Sequence, residues 1–218
     1  DRLTLSVKIT ITPDGQVLDY DIFKSVINSR KKMTYEKVYK ILTEQPKDLM
    51  EEYKDFTDHI FTLRELAKVL NKRRKDRGAI DFYIPEAKII LDDEGVPVKI
   101  LKREQNIAHN IIEECMLVAN ETVAKHMDRI NAPFVYRIHE DPSVEKIENL
   151  SSFLFNLGYK LKVGKKIKPK TISEMLEDIK GVPEERVIST LALRSMMKAK
   201  YSEKNLGHFG LAAKNYCH

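Results

Sequence analysis

The sequence has no tryptophan, two cysteines, and eight each of glycine and proline in 218 residues. Two cysteines, Cys115 in an apolar stretch and Cys217 near the end, exclude a disulfide framework and fit a reducing compartment. No apolar run approaches the roughly 20 residues that a membrane-spanning helix needs. From that cysteine usage the expected location is cytoplasmic. Repeats and low-complexity tracts are absent. So are a glycine-rich phosphate loop, a nucleophile beside a base, and the Cys/His spacing of a zinc site; the six histidines are scattered. The residues by themselves support no reaction.

What is present is an ordinary globular composition, 42% hydrophobic and 33% charged, with a net charge of +5. The length suits one domain or one large piece of one. Basic residues gather at Arg30-Lys31-Lys32, at Lys72-Arg73-Arg74-Lys75 with Arg77, and from Lys160 to Lys170, with Tyr and Phe between them. Such clusters suit a polyanion such as RNA, and they equally suit solvated helix ends and loops.

Leu3, Leu5, Val7 and Ile9 alternate with polar residues, Pro13-Asp14-Gly15 turns, and Val17 to Ile27 returns, which predicts a half-buried β-hairpin. A strand at residue 1, and an apolar end without a closing element, predict a piece cut from a longer domain at both ends. Thr34 is the expected N-cap of a helix through Leu42. From Leu49 to Leu70 apolar residues step by four and three, predicting one long amphipathic helix that ends at Gly78, packed into the core or, alternatively, forming a coiled-coil dimer. AIDFYI, AKIIL and VPVKIL predict a second antiparallel group. Its Asp92-Asp93-Glu94 turn is a solvated loop or a Mg²⁺-binding cluster, and Phe82 is a core residue or a stacking platform. PFVYRIH predicts a short strand and residues 143–158 a helix closed by Gly158. Lys160 to Lys170 predicts a basic strand-loop, followed by helices opening at the Thr171–Glu174 capping box and at Pro183.

The organising element is QNIAHNIIEECMLVANETVAKHM, from Gln105 to Met127, predicted as a helix covered on most sides. Glu113 shares a face with Met116 and Asn120 at i, i+3 and i+7. That face is either locally bonded and solvated or an edge that touches a substrate. The fold class expected is α+β, with antiparallel sheet hairpins and several amphipathic helices around a central buried helix.

Five segments, taken in order, carry a resemblance. They are Thr34-Tyr35-Glu36-Lys37-Val38, Arg77 to Phe82, Ile111 to Asn120, Arg137 to Pro142, and His208 to Ala212 running on to Tyr216-Cys217-His218. Together they resemble the RNB catalytic domain of the ribonuclease II and RNase R exoribonucleases, nearest to the bacterial RNase R branch. The resemblance implies a monomeric, cytoplasmic, processive 3′→5′ exoribonuclease. Such an enzyme threads single-stranded RNA to a buried Mg²⁺ centre and releases nucleoside 5′-monophosphates. It implies that Tyr35 contacts terminal nucleotides, that Phe82 clamps bases, and that Glu113 accepts a bond from a ribose 2′-OH. It also implies that the metal-binding aspartates precede residue 1 and an arginine segment follows His218. Residues 1–218 would then hold no catalytic or metal-ligating residue and be inactive alone. Arg137 and His139 match the family pattern with no role attached. The alternative is a non-catalytic module that binds single-stranded RNA.

Overall fold

The computed structural model describes residues 1–82, 87–102, 105–164 and 166–218. The chain opens with the expected hairpin, β1 (Arg2–Ile11) paired antiparallel with β2 (Val17–Ile27). Its turn closes through Thr12 N to Gln16 O and Gly15 N to Thr12 O, with Gly15 at φ +80°. A Cβ on Gly15 would lie 2.9 Å from Val69 Cγ1, so the hairpin tip rests directly on a helix. Tyr20 of β2 also reaches a helix, its hydroxyl 3.2 Å from His126 Nδ1. Val7 and Ile9 are partly buried as expected, but Leu3 and Leu5 are 89% and 79% exposed, which corrects the half-buried expectation for the far end, where no second layer among the described residues covers the strand.

Thr34 caps α1 (Tyr35–Thr43), its hydroxyl accepting from Lys37 N at 3.3 Å. The long helix expected from Leu49 to Leu70 is broken into α2 (Lys47–Glu52), a 3₁₀ turn (Lys54–Phe56) and α3 (Thr57–Arg77). The break falls at Tyr53, which leaves helical geometry to bury its ring with Ile41, Leu42, Ile60, Ala67 and Ile111. Lys31 and Lys37 lie over that ring at 4.8 and 5.4 Å. A tight 3₁₀ turn keeps Leu49, Phe56 and Ile60 on the same core, which is why the apolar stepping survives the break.

Among the described residues the second hairpin is formed by AKIIL and VPVKIL, β3 (Ala87–Leu91) with β4 (Pro97–Lys102). In its turn Asp92 Oδ1 accepts from Glu94 N and Val96 N. Ala79 to Phe82 is irregular, and Tyr83 and Ile84 lie outside the described residues. Ala79 and Ile80 are both buried, so this stretch does not alternate. The Ile80 amide bonds to Gly210 O at 2.7 Å and not to a strand.

The central helix is α4 (Ile107–Arg129), which packs on α3, α1 and β1. Ile111 belongs to the α1–α3 core, while Ala124 joins Tyr136, Ile138 and Cys217 in a second one. Its Ile112–Met116 flank is open, with both residues exposed. A third and largest core is made by α5 (Val144–Asn156), α6 (Pro169–Asp178) and α7 (Glu185–Ser195), with Ile80 and Phe209 reaching into it. α6 begins two residues ahead of the Thr171 capping box, because Pro169 has the fixed φ that suits a first helical position. Lys160–Lys170 shows no strand among the described residues. Pro183 lies in a turn closed by Glu185 N to Val182 O, and α7 starts only after it.

The C-terminal segment packs back onto the rest of the described chain. β6 (Lys200–Ser202) pairs with β5 (Tyr136–Ile138), Arg137 N donates to Tyr216 O, and Phe209, Tyr216 and Cys217 are buried. These contacts join residues more than 60 apart, which local pattern cannot show.

Gly78 ends α3 in the left-handed region at φ +97°, with Ala79 N bonded to Arg74 O. A Cβ there would lie 2.6–2.9 Å from Lys170 Cβ, Cα and N. Gly95, at φ +81° in the β3–β4 turn, has nothing within 4 Å. Gly78→Ala is expected to cost about 3 kcal/mol in urea unfolding and Gly95→Ala about 1 kcal/mol, the difference being the clash with α6.

Candidate nucleic-acid interface

The site is built on α4. His109, Glu113, Met116 and Asn120 recur at helical spacing along one edge, and this edge is the one the packing leaves open. Tyr35, the first residue of α1, reaches it: its ring stacks on His109 with centroids 4.0 Å apart and planes 14° from parallel. Tyr35 itself is 45% exposed, so the stacked residue keeps surface open to solvent. At the other end of the edge, Asn120 Nδ2 lies 3.4 Å from Tyr216 Oη and 3.3 Å from His218 Nδ1. The edge therefore runs from a stacked aromatic pair, past a carboxylate, to an amide, a phenol and an imidazole.

Glu113 is exposed but lies close to buried surface. Desolvation raises its carboxyl above the ordinary range, Arg74 opposes that, and Glu114 and Asp81 reinforce it. Phe82 occupies a different setting, half-buried against the α5–α7 core. The structure thus brings Tyr35 and Glu113 onto one edge and places Phe82 on the loop behind α3.

The neighbouring acid, Glu114, does the opposite work. It is 2% exposed and accepts from Arg74 Nε at 3.0 Å and Asn71 Nδ2 at 2.8 Å. Arg74, 7% exposed, also donates through Nη1 to Asp81 Oδ1 at 2.7 Å. One turn on, Arg77 grips Glu121 with two bonds of 2.6 and 2.8 Å and donates to Leu211 O. Two members of the basic 72–77 cluster are therefore clasps between helices, not surface charge. The clue in the sequence is Glu114's place three residues from both Ile111 and Leu117, within the apolar stripe. A cleft of about 790 Å³ under the β1–β2 hairpin, lined by Arg73, Lys125, Arg129 and Lys214 among others, faces the other side of α4 and includes none of Tyr35, Phe82 and Glu113.

His139 and His208 form a second cluster, at the base of the 208–213 loop. Their rings meet edge-on at 5.1 Å. His139 Nδ1 accepts from Gly210 N and His208 Nδ1 from Leu211 N, each at 3.2 Å. Burial lowers both pKa values, and His208, with His139 and Arg137 adding repulsion, is pushed down to about 4. Both rings act as neutral acceptors that hold the loop. Arg137, the other residue matched without a role, lies over the Tyr201 ring at 4.7 Å. Among the described residues no three His, Cys, Asp or Glu side chains are grouped to hold a metal ion, and no helix is long and apolar enough to cross a membrane.

A family model described as "RNB domain" matches residues 1–218. The chain belongs to the RNB family. Its relatives include ribonuclease R of Thermotoga maritima (45% identical), of Aquifex aeolicus (39%) and of Escherichia coli (38%), each matched over 100% of this chain. The chain spans only 31%, 31% and 27% of those proteins. Among solved RNB structures, Mycoplasma genitalium RNase R in complex with ribose-methylated single-stranded RNA has a TM-score of 0.89 at 26% identity, covering 100% of this chain and 34% of its own. Yeast Ssd1, a pseudonuclease, shares the fold alone, with a TM-score of 0.72 at 17% identity over 99% of this chain and 26% of its own.

Two outcomes are expected. Arg74→Ala strands Glu114 in a buried position and should cost about 3–5 kcal/mol in denaturant unfolding, whereas Glu177→Ala, which breaks the exposed pair with Lys180, should change stability by less than about 1 kcal/mol. The unfolded chain protonates His208 near pH 6.5 and the folded chain only near 4, so acid favours unfolding across that window. Stability is expected to fall by up to roughly 3 kcal/mol as pH drops from 6.5 to 4, and His208→Asn, which keeps an acceptor for Leu211 N, to flatten the profile.

Proposed function

We propose that this chain forms part of the RNA path of a hydrolytic 3′→5′ exoribonuclease of the RNase R type, which degrades RNA to nucleoside 5′-monophosphates. The observation that carries the reading is the open edge of α4, where Tyr35 and Glu113 come together in a chain that matches the RNB domain from end to end. The exposed surface of Tyr35 offers a platform on which any base can stack, worth about 1–3 kcal/mol per base and indifferent to sequence. Glu113, one turn along from His109, is placed to accept a bond from a ribose 2′-OH, a group DNA lacks. Phe82 is proposed as a further base contact on its exposed side, the rest of its ring being held by the α5–α7 core.

Mg²⁺ in such an enzyme would supply an activated water and offset phosphate charge. The described residues do not fit that ion: no three His, Cys, Asp or Glu side chains among them are grouped to hold it, and Glu114 and Asp81 are both bonded to Arg74. The proposal therefore puts the metal-binding aspartates and the arginine segment outside these 218 residues. It makes the chain the central part of the domain and silent by itself, within a cytoplasmic, monomeric parent.

The test is binding to a fluorescent single-stranded RNA of about ten nucleotides and to the DNA of the same sequence, each titrated against salt. Salt-sensitive binding that prefers RNA is expected, with Glu113→Ala lowering the RNA-to-DNA ratio several-fold while the melting temperature stays near that of the parent. An unchanged ratio, or a large loss of melting temperature with the ratio preserved, makes Glu113 a structural residue. Adding the flanking segments of the domain should confer Mg²⁺-dependent release of mononucleotides; a non-catalytic module would only bind.

A further inference from the structure

Tyr35 is a surface residue at the first position of a helix, where a phenol ring ordinarily samples several rotamers. Here one face of the ring is occupied. His109 lies beneath it at a centroid distance of 4.0 Å and a 14° tilt. The imidazole is itself fixed, because His109 is the third residue of α4 and closes the capping box of that helix: its Nδ1 lies 3.3 Å from Asn106 N and 3.0 Å from Asn106 Oδ1. The ring at the start of α1 is thereby tied to the start of α4, the helix that carries Glu113 one turn further on.

We propose that His109 is a positioning residue for the nucleotide contact at Tyr35, its imidazole holding one face of the phenol so that the other stands ready for a nucleobase. The proposal rests on the reading of Tyr35 as an RNA contact. Its physical basis is preorganisation: a ring already ordered loses little freedom when a base stacks on it, and its distance to Glu113 is set before RNA arrives. A base, Tyr35 and His109 would form a three-layer stack, with the cap of α4 as its foundation.

His109 has two separable jobs, and two substitutions divide them. His109→Gln keeps a side chain able to close the capping box but removes the ring; His109→Phe keeps the ring and loses the cap. In the 218-residue chain, His109→Gln is expected to weaken single-stranded RNA binding about 3- to 10-fold with little change in melting temperature. His109→Phe is expected to melt lower yet bind within about twofold of the parent. His109→Gln binding as the parent does, or His109→Phe binding as weakly as His109→Gln, overturns the proposal. Tyr35→Ala tests the underlying reading separately, since unchanged RNA binding there removes Tyr35 from the interface whatever His109 does.

A measurement without RNA keeps the two apart. The sequence has no tryptophan, so Tyr35→Trp introduces a single reporter. Its fluorescence anisotropy is expected to fall when His109→Gln is added and to hold with His109→Phe. Equal anisotropy in the two double variants refutes the ordering role, even for a chain that binds no RNA.

Discussion

A buried ion pair, Arg74 with Glu114, fixes where the two longest helices meet. Burying both charges is costly, and the cost is offset only because each finds more than one partner: Asn71 adds a bond to Glu114, and Asp81 one to the other side of Arg74. An interface of apolar side chains can slide by a residue and re-pack. This one cannot, because a shifted register would leave a charge unpaired in the interior. The pair therefore sets the registry of α3 against α4, and through Asp81 it sets where the chain goes after α3. Arg77 repeats the device one turn later with Glu121 and ties in the loop that contains Leu211.

That registry determines which edge of α4 remains open. With Glu114, Leu117 and Ala124 turned inward, Glu113, Met116 and Asn120 have to face out. Two adjacent glutamates thus have opposite fates from a single rotation of the helix: one is structural, the other is available to a ligand. The preference for RNA proposed for Glu113 depends on Glu114 keeping its place.

Periodicity gave α1, α4, α5 and both hairpins nearly to the residue, because each has a cap or turn residue where its pattern stops: Thr34, Asn106, Ser143, Gly15 and Gly95. It misplaced the Leu49–Leu70 helix, since a 3₁₀ turn preserves the apolar stepping while Tyr53 leaves the helix. Thr171 and Pro183 have the right chemistry for helix starts but each sits two residues from the real one. Among the site residues, the shared face of Glu113 and Asn120 could be read from spacing. The stack of Tyr35 on His109, the junction of Asn120 with Tyr216 and His218, and the His139–His208 pins could not, because they join segments up to 98 residues apart. Charge counting failed for a related reason. It could not tell that Arg74 is buried on Glu114 and Asp81 and that Arg77 is held by Glu121.

The β1–β2 ribbon has a consequence for how the molecule behaves in bulk. It is ten residues long, paired only with itself, and carries Leu3, Leu5, Leu18 and Val26 in the open. A two-stranded ribbon has two unpaired hydrogen-bonding edges, and nothing along these is bulged outward except the step near Thr10 and Ile11. Strand addition from another polypeptide would satisfy those backbone groups and bury the leucines together. The β3–β4 ribbon repeats the situation with Ile89, Val98 and Ile100 exposed, so the colloidal stability of the chain depends on its two ribbons and not on the helix edge proposed to meet RNA.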